Sequence, residues 1–600
     1  MQNQLPVRST QFSFSMWKCA VALLCCAFSI EPLFAQELDW TYNGADVYNS
    51  RYANIDQINP SNVSQLKPAW TFHTGVFDPS MSMEMTPLVI NGVMYITTGD
   101  DDVFALNPTT GTQLWHYAPE ADMPKISTLP ICCNNDNRGV AYGEGMIFDA
   151  RLDSVLVALD AKTGKEVWQT RVDDPIANGA TMTLAPLFIG ASEGKVPEVL
   201  VGVSGAEYGV RGHMDAYDPS TGKLLWRFWT TDPATWAGTS YLRGGASIWG
   251  TPSYDPTLNM VYFATGNAFP WPYVGGRAGT NLFATSIVAI DATTGELQWY
   301  FQEVHHDMWD QDGPQPTVLF SWNGIPAIEH TSKTGWMWIL DRASGESLFP
   351  YDEVAVPPTP ANAAFQLPWP TQPQSSIEPL TAHQATGLPA GMIAAPEWTT
   401  IGPTAQVFQP IFNGGMEYPP AAYSPRTRMI YSHARYAPFG LGITNDAATN
   451  YACPGGNLGE SHVATCQLSF AVPPGRNHGV YGAINTVTGK IAWTIPMLAT
   501  APDSGVTVAG DLVFFGDSTG LFYGASAATG EILWVFDAAT VPNAGGGNAA
   551  AAIYEINGVE YVVYGFGGNP GESFTLGDAV IAFALPSATA AAAAEKAKTK

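Results

Sequence analysis

The stretch Ala158-Leu159-Asp160-Ala161-Lys162-Thr163-Gly164-Lys165-Glu166-Val167-Trp168 decides the fold, because it is one copy of a recurring unit. The pattern Ala-x-Asp-x-x-Thr-Gly-x-x-x-Trp returns from Ala105 to Trp115, Ala216 to Trp226, Ala289 to Trp299 and Ala483 to Trp493. It recurs more loosely from Gly524 to Trp534, and a decayed copy ends at Phe349. Each copy reads as strand, tight turn, strand: Thr-Gly supplies a left-handed turn residue, and the apolar residues around it alternate. The small residue that opens the unit leaves room for the indole that closes it, which can wedge against the next repeat.

Successive end residues lie 41 to 73 residues apart, except for a gap of 144 between Phe349 and Trp493. Periods of this size, with four short strands each, predict propeller blades. The long gap must hold one blade plus an insertion. The Pro-rich segment 354–396 is the natural insertion, and blade-like sequence resumes around Ala421 to Ser432. Trp70 follows no full unit but stands where a blade's outer strand should finish, and Ala579 to Leu585 is an apolar strand with no hairpin partner after it. Pairing the first strand with the last repeat closes the ring and removes exposed edges. The ends Trp70, Trp115, Trp168, Trp226, Trp299, Phe349, Trp493 and Trp534 then give an all-β, eight-bladed β-propeller.

Composition agrees: 59 Gly, 46 Pro and 19 Trp with only 13% charged residues point to turn-rich, aromatic-rich β structure. The net charge of −27 disfavours nucleic acid and anionic membranes, which need basic footprints. It suits steering of a basic partner protein, or simply keeps an exported protein soluble. Residues 1–35 read as a secretory signal, with Arg8 and Lys18, an apolar run of twelve from Cys19 to Ile30, and Leu33-Phe34-Ala35 before cleavage. Twelve apolar residues are too few to span a bilayer, so no stable membrane insertion is expected. The expected organisation is a propeller over 36–586, a flexible tail over 587–600, and a periplasmic or secreted location.

After signal removal Cys132, Cys133, Cys453 and Cys466 remain, an even set for an oxidising compartment. The adjacent pair alone leaves three states open: buried thiols, bridges elsewhere, or one bond across a single peptide unit, where about 3.8 Å separates the Cα atoms. In the last case Cys453 and Cys466 would close a surface loop. No Cys-x-x-Cys-His segment for covalent haem occurs.

The repeat together with Cys132-Cys133-x-x-x-x-Arg138-Gly139 resembles the quinoprotein alcohol dehydrogenases, eight-bladed enzymes that use pyrroloquinoline quinone (PQQ). The resemblance runs from about Asp39 to Pro586. It implies that Cys132 and Cys133 are bonded and lie flat against one face of the quinone, with Trp249 stacked on the other. A tryptophan in a Gly-rich strand would otherwise be core. Leu200 to His213 resembles the family's Ser-Gly-Ala-Glu segment, implying Glu207 as metal ligand and Ser204, Gly205 and Ala206 beside the cofactor. Without that context Glu207 is a solvated loop acid. Asn267 matches the second protein ligand, and a carboxylate with an amide oxygen suits a hard cation such as Ca²⁺. Asp310 matches the catalytic carboxylate, which is also a ligand of the metal. Lys333, otherwise a surface lysine, matches the cation near the quinone oxygens. Glu84, Arg138, Thr183 and Ser247 are further implied cofactor contacts, with Arg138 suited to the PQQ carboxylates.

Asp312 raises a metal alternative, because lanthanide-dependent members carry an extra aspartate at that position. Against it, Trp309 to Thr317, Lys333 and Trp369 to Pro373 resemble the glucose-dehydrogenase branch, which uses Mg²⁺ or Ca²⁺, and Ca²⁺ is the expected ion. Gly414-Gly415-Met416-Glu417-Tyr418 departs from the Gly-Gly-Ala-Asn-Trp of methanol-dehydrogenase-like members and alters the pocket. The expected activity is oxidation of a small-molecule or polymeric primary or secondary alcohol to aldehyde or ketone. Electrons would pass to a separate cytochrome c or similar carrier. A non-catalytic scaffold propeller is the rival, and it gives no reason for Cys132, Cys133, Glu207, Asn267 and Asp310 to occur together.

Overall fold

The computed structural model describes residues 38–119, 125–191, 196–271, 274–412, 414–443, 468–471, 478–498, 502–572 and 574–586. The signal reading, the Cys453–Cys466 pairing and the tail fall outside them. Eight antiparallel sheets follow one another in chain order. The first is Leu88–Ile90, Val93–Thr97, Val103–Leu106 and Gln113–Tyr117; the second begins at Ala141–Gly143 and the third at Leu187–Ile189. The fourth begins at Ser253–Asp255, the fifth at Val318–Trp322, the sixth at Ala422–Ser424 and the seventh at Thr507–Ala509. First strands such as Leu88–Ile90 and Thr507–Ala509 are buried throughout, whereas last strands such as Glu166–Arg171 alternate toward solvent. That gradient makes the first strand of each blade the inner one. The eighth blade joins Lys67–His73 to Ala552–Ile556, Val559–Phe566 and Ala579–Ala584, with Trp70 opposite Ala582. The ring therefore closes as the repeat count predicts, with Lys67–His73 as the outermost strand of the last blade and Ala579–Ala584 paired on both sides.

The repeat's composition has a direct physical cause. The opening alanine is the cross-strand partner of the closing indole, Ala158 opposite Trp168 and Ala289 opposite Trp299. Each indole then reaches the following blade. Trp115 Nε1 donates to Ala161 O (3.0 Å) and Trp226 Nε1 to Ala292 O (3.0 Å). Gly164, at φ +68°, lies beneath Trp115, where a Cβ would stand 2.5 Å from the ring. The turn is closed by Asp160 Oδ1, which accepts from Thr163 N (2.9 Å) and Oγ1 (2.7 Å). Phe349 packs over Gly489 in the same way, without an N–H to donate.

Two features go beyond the sequence reading. The fifth blade's excursion carries a hairpin, Tyr351–Ala355 with Thr371–Ser375, and the strand Gln406–Phe408. That strand pairs with Phe439–Ile443, which pairs with Leu468–Ala471, both inserted inside the sixth blade between Met429–Tyr436 and His478–Asn485. The added material is thus two excursions sharing one sheet, of which the Pro-rich stretch is one part. They pack around Trp309, Trp398, Phe408 and Ile411. The second feature is an arm before the first blade. Trp40 pairs with Val89, and Tyr254 N, Leu319 N, Tyr423 N and Val508 N donate to the carbonyls of Val47, Tyr48, Ser50 and Arg51 in turn.

Candidate active site

The bonded pair Cys132–Cys133 spans Cα atoms 3.7 Å apart, with Cys133 exposed and Cys132 half-buried. Tyr208 Oη donates to Ile131 O (3.0 Å), tying this loop to the third-blade segment that carries Glu207. Asn134 Nδ2 donates to Asn569 Oδ1 (2.7 Å) from the last blade. Gly205, at φ +112°, packs against the carbonyl of Gly179 so closely that any Cβ would clash, which sets the path of Ala206 and Glu207.

Arg138 lies 5.1 Å over the Trp249 ring and 4.8 Å over Tyr418. Its guanidinium pairs with Glu84 (2.6 Å) and Asp136 (2.7 Å) and donates to Thr183 Oγ1 (2.8 Å), which in turn meets Ser204 Oγ at 2.9 Å. Glu84 thus has a concrete partner: it holds Arg138. Burial pushes Asp136 up to about 8, with Arg138 opposing and Glu84 reinforcing the shift. Asp136 was not among the residues singled out from the sequence, although an acid two residues before Arg138 was a readable signal. Tyr418, noted there only as a departure, donates to Asn548 Oδ1 (2.5 Å) and faces Trp249 at 6.4 Å.

Ser247 and Trp249 sit on the segment bridged to Asn267: Ala246 N donates to Asn267 O (2.8 Å) and Gly266 N to Ser247 O (2.7 Å). Asn267 N donates to Asp312 Oδ1 (2.5 Å), and Asp312 Oδ2 receives Lys333 Nζ (2.6 Å). Lys333 lies 3.9 Å from Glu417 Oε1 and 5.9 Å over the Trp249 ring. Burial disfavours the Lys333 cation, but Asp310, Asp312 and Glu417 override it and hold its pKa well above the ordinary value. Asp310 is buried at φ +61°, on a turn held by Asp307, which accepts from Trp309 N (2.8 Å) and Gln311 N (2.9 Å). Burial drives the Asp310 carboxyl well above its usual range; Lys333 opposes this, and Asp312 and Glu207 add to it. Glu207 is raised too, by burial and then by Asp312.

Among the described residues, no three His, Cys, Asp or Glu side chains converge closely enough to hold an ion by themselves. The structure therefore does not gather Glu207, Asp310 and Asp312 into one shell, since both Asp312 oxygens are taken by Lys333 and the Asn267 amide. The fit to a quinone and cation rests on other atoms. Asn267 Oδ1 and Nδ2 and Asp310 Oδ1 are buried with no hydrogen-bond partner, a state that costs about 1–3 kcal/mol per group unless a ligand satisfies it. A hard cation with an oxygen-rich ligand does so. Trp249, half-buried beneath two cations, and the exposed face at Cys133 offer flat surfaces to a planar anionic ring.

A closed eight-bladed ring carrying this cluster of buried charges beside Trp249 and Cys132–Cys133 has the architecture expected of a quinone-dependent propeller enzyme. The sequence family described as PQQ glucose/ethanol/alcohol dehydrogenase, β-propeller domain, matches residues 40–562. The chain is 32% identical over 561 residues to a quinohemoprotein alcohol dehydrogenase of Comamonas testosteroni, covering 89% of this chain and 73% of that one. It is 32% identical over 591 residues to the putative dehydrogenase XoxF of Paracoccus denitrificans, covering 90% and 89%. Among solved structures, a europium-containing methanol dehydrogenase superposes with a TM-score of 0.75 at 25% identity, over 91% of this chain and 98% of that chain. The chain belongs to the PQQ-dependent quinoprotein alcohol dehydrogenase family and is an oxidoreductase of CH–OH donors.

Proposed function

We propose that this chain binds PQQ with Ca²⁺ and oxidises a primary or secondary alcohol to an aldehyde or ketone, with Asp310 as the base. The observation that carries this reading is Asp310 itself. It is buried, turned out on a left-handed backbone, disfavoured as an anion by its surroundings, and has one oxygen without a protein partner. PQQ and its metal, when bound, supply an electrophilic carbonyl able to accept two electrons. Glu207 and the Asn267 amide oxygen would hold the cation; Cys132–Cys133 and Trp249 would hold the ring faces, with Arg138 and Lys333 meeting its carboxylates and oxygens. Asp310 takes the hydroxyl proton, and the alkoxide-like C–O bond left behind releases hydride from carbon. Lys333 beside Asp310 favours its ionised form and so readies it as a base.

Ca²⁺ is preferred over a lanthanide because Asp312 is already engaged by Lys333 and the Asn267 N–H, leaving less charge for a trivalent ion. Electrons would leave to a separate cytochrome c or similar carrier, and the chain would work in the periplasm or outside the cell. The test is reconstitution with PQQ plus Ca²⁺ or La³⁺, followed by alcohol-dependent dye reduction. Asp310→Asn should retain quinone, read by absorbance, and lose about 10²–10⁴-fold in turnover. Retained turnover means another group is the base, and activity with La³⁺ alone reverses the metal assignment.

A further inference from the structure

The candidate site does not account for a hollow on the outside of the ring. It lies between the outer strand of the fourth blade, Leu297–Gln302, and the hairpin Tyr351–Ala355 with Thr371–Ser375. One cavity of about 360 Å³ is lined by Tyr300, Gln302, His305, Tyr351, Glu353 and Trp369, among others. It continues into an open groove of about 750 Å³, and the two share Phe301 and Tyr351. Both are within the size range of small-molecule sites, roughly 300–1,000 Å³.

Three properties narrow the ligand. First, Tyr300 and Tyr351 are each 43% exposed, which is unusual for large aromatics, yet their rings are braced. Tyr351 meets Phe301 at 84° and Trp338 at 80°, both with centroids 5.7 Å away, and Tyr300 meets Phe283 at 5.0 Å. Fixed exposed ring faces stack on flat, C–H-rich ligands at little entropic cost. Second, the polar groups are preset. His305 stands between Gln302 Oε1 (2.9 Å from Nδ1) and Glu353 Oε1 (3.3 Å from Nε2), and the Glu353 side chain is 43% exposed. Third, no Lys or Arg is among the described residues lining either hollow, while Glu346 and Glu353 are. Anionic ligands are thereby disfavoured, and donors of neutral hydroxyl groups are favoured.

We propose that this hollow is an accessory subsite for a neutral pyranose chain, stacked on Tyr300 and Tyr351 and hydrogen-bonded through Glu353, whose carboxylate His305 holds in place. The site also touches the loop that carries Asp310. His305 N donates to Gln372 Oε1 (2.8 Å), and Gln372 Nε2 returns a bond to His305 O (2.7 Å), so the inserted hairpin clamps the start of the catalytic segment. A bound chain would be anchored on the element that clamps the segment leading to Asp310.

The test titrates the full cofactor-free chain with cellohexaose and with maltohexaose by calorimetry, so it does not depend on the assigned reaction. The expected result is saturable binding of one or both. Tyr300→Ala combined with Tyr351→Ala should weaken it by at least about tenfold, while Tyr351→Phe keeps it. Because both side chains are partly exposed, the double variant should melt close to the parent and keep small-alcohol turnover after reconstitution. No heat with either sugar at millimolar concentration overturns the proposal. So does binding that survives the double substitution, or preferential binding of a proline-rich peptide or a second copy of the chain. Loss of dye reduction in the parent would overturn the assigned reaction without touching this result.

Discussion

At the residue scale, the site is organised by pairs of opposite charge. Lys333 and Asp312 are both buried and 2.6 Å apart, and the same carboxylate also accepts from the Asn267 amide. Removing one partner of such a pair leaves an uncompensated buried charge, which costs about 3–5 kcal/mol. Lys333→Met should therefore lower the urea midpoint of the cofactor-free chain sharply. Adding Asp312→Asn should recover about half of the loss, because the amide oxygen still accepts from Asn267 N–H. An unchanged midpoint in the single variant would show that the pair does not hold this corner. The sequence made the ingredients legible: Cys132–Cys133, Trp249, Glu207, Asn267, Asp310 and Lys333 all stand in recognisable motifs. It did not make their partners legible. Asp312 could be read only as an extra ligand, since nothing linear shows that Lys333, 21 residues on, reaches it. Asn569 meets Asn134 across 435 residues, and only ring closure brings them together.

At the scale of elements, the blade hairpin was readable because its constraints are local: turn, small residue and indole occur within eleven positions. Gly164→Ala should cost more than Trp115→Phe. The first places a Cβ 2.5 Å from the Trp115 ring at φ +68°, whereas the second forfeits one hydrogen bond of about 1 kcal/mol and part of a buried ring, in a contact that Phe349 already makes over Gly489. Urea melts of the two variants check the order. The excursions were less legible because their sheet joins strands from either side of a blade strand, with no shared repeat. They carry a pH-sensitive anchor. Glu397 accepts from Trp336 Nε1 (2.9 Å) and Gln374 Nε2 (2.5 Å), and burial raises it to about 7 against the Trp336 hydrogen bond. His383, 3.8 Å away, is lowered to about 4 by burial and stays neutral over the relevant range. A raised acid contributes its stability fully below its unfolded pKa and loses it as pH climbs through the folded one. The parent should thus lose on the order of 3 kcal/mol between about pH 4.5 and 7 from this group. Glu397→Gln should flatten that slope, melting near the parent at pH 5 and above it at pH 8.

At the scale of the molecule, the ring is closed twice, once at its edge and once at its axis. The edge closure pairs Lys67–His73 with Ala579–Ala584 and was foreseeable from an orphan strand at each end. The axial closure was not, because residues 38–53 have no repeat or periodicity and act chiefly through backbone carbonyls, which any sequence supplies. Those carbonyls satisfy inner-strand amides of the first blade and of the fourth to eighth blades. Arg51, 1% exposed, donates to Asn43 Oδ1 (2.8 Å) and Thr86 Oγ1 (2.9 Å), and Asn43 Nδ2 donates to the carbonyl of Arg138 (2.8 Å). A chain beginning at Ile55 would keep every blade strand yet leave seven amides without acceptors, six of them buried and costing about 1–3 kcal/mol each. It should melt far below the parent or fail to fold. A peptide of residues 38–54 added in trans should restore the melting temperature. Because Asn43 of the arm holds the Arg138 carbonyl, the same peptide should restore quinone binding in step with it. A truncated chain that melts like its parent would mean that the blades hold the axis closed on their own.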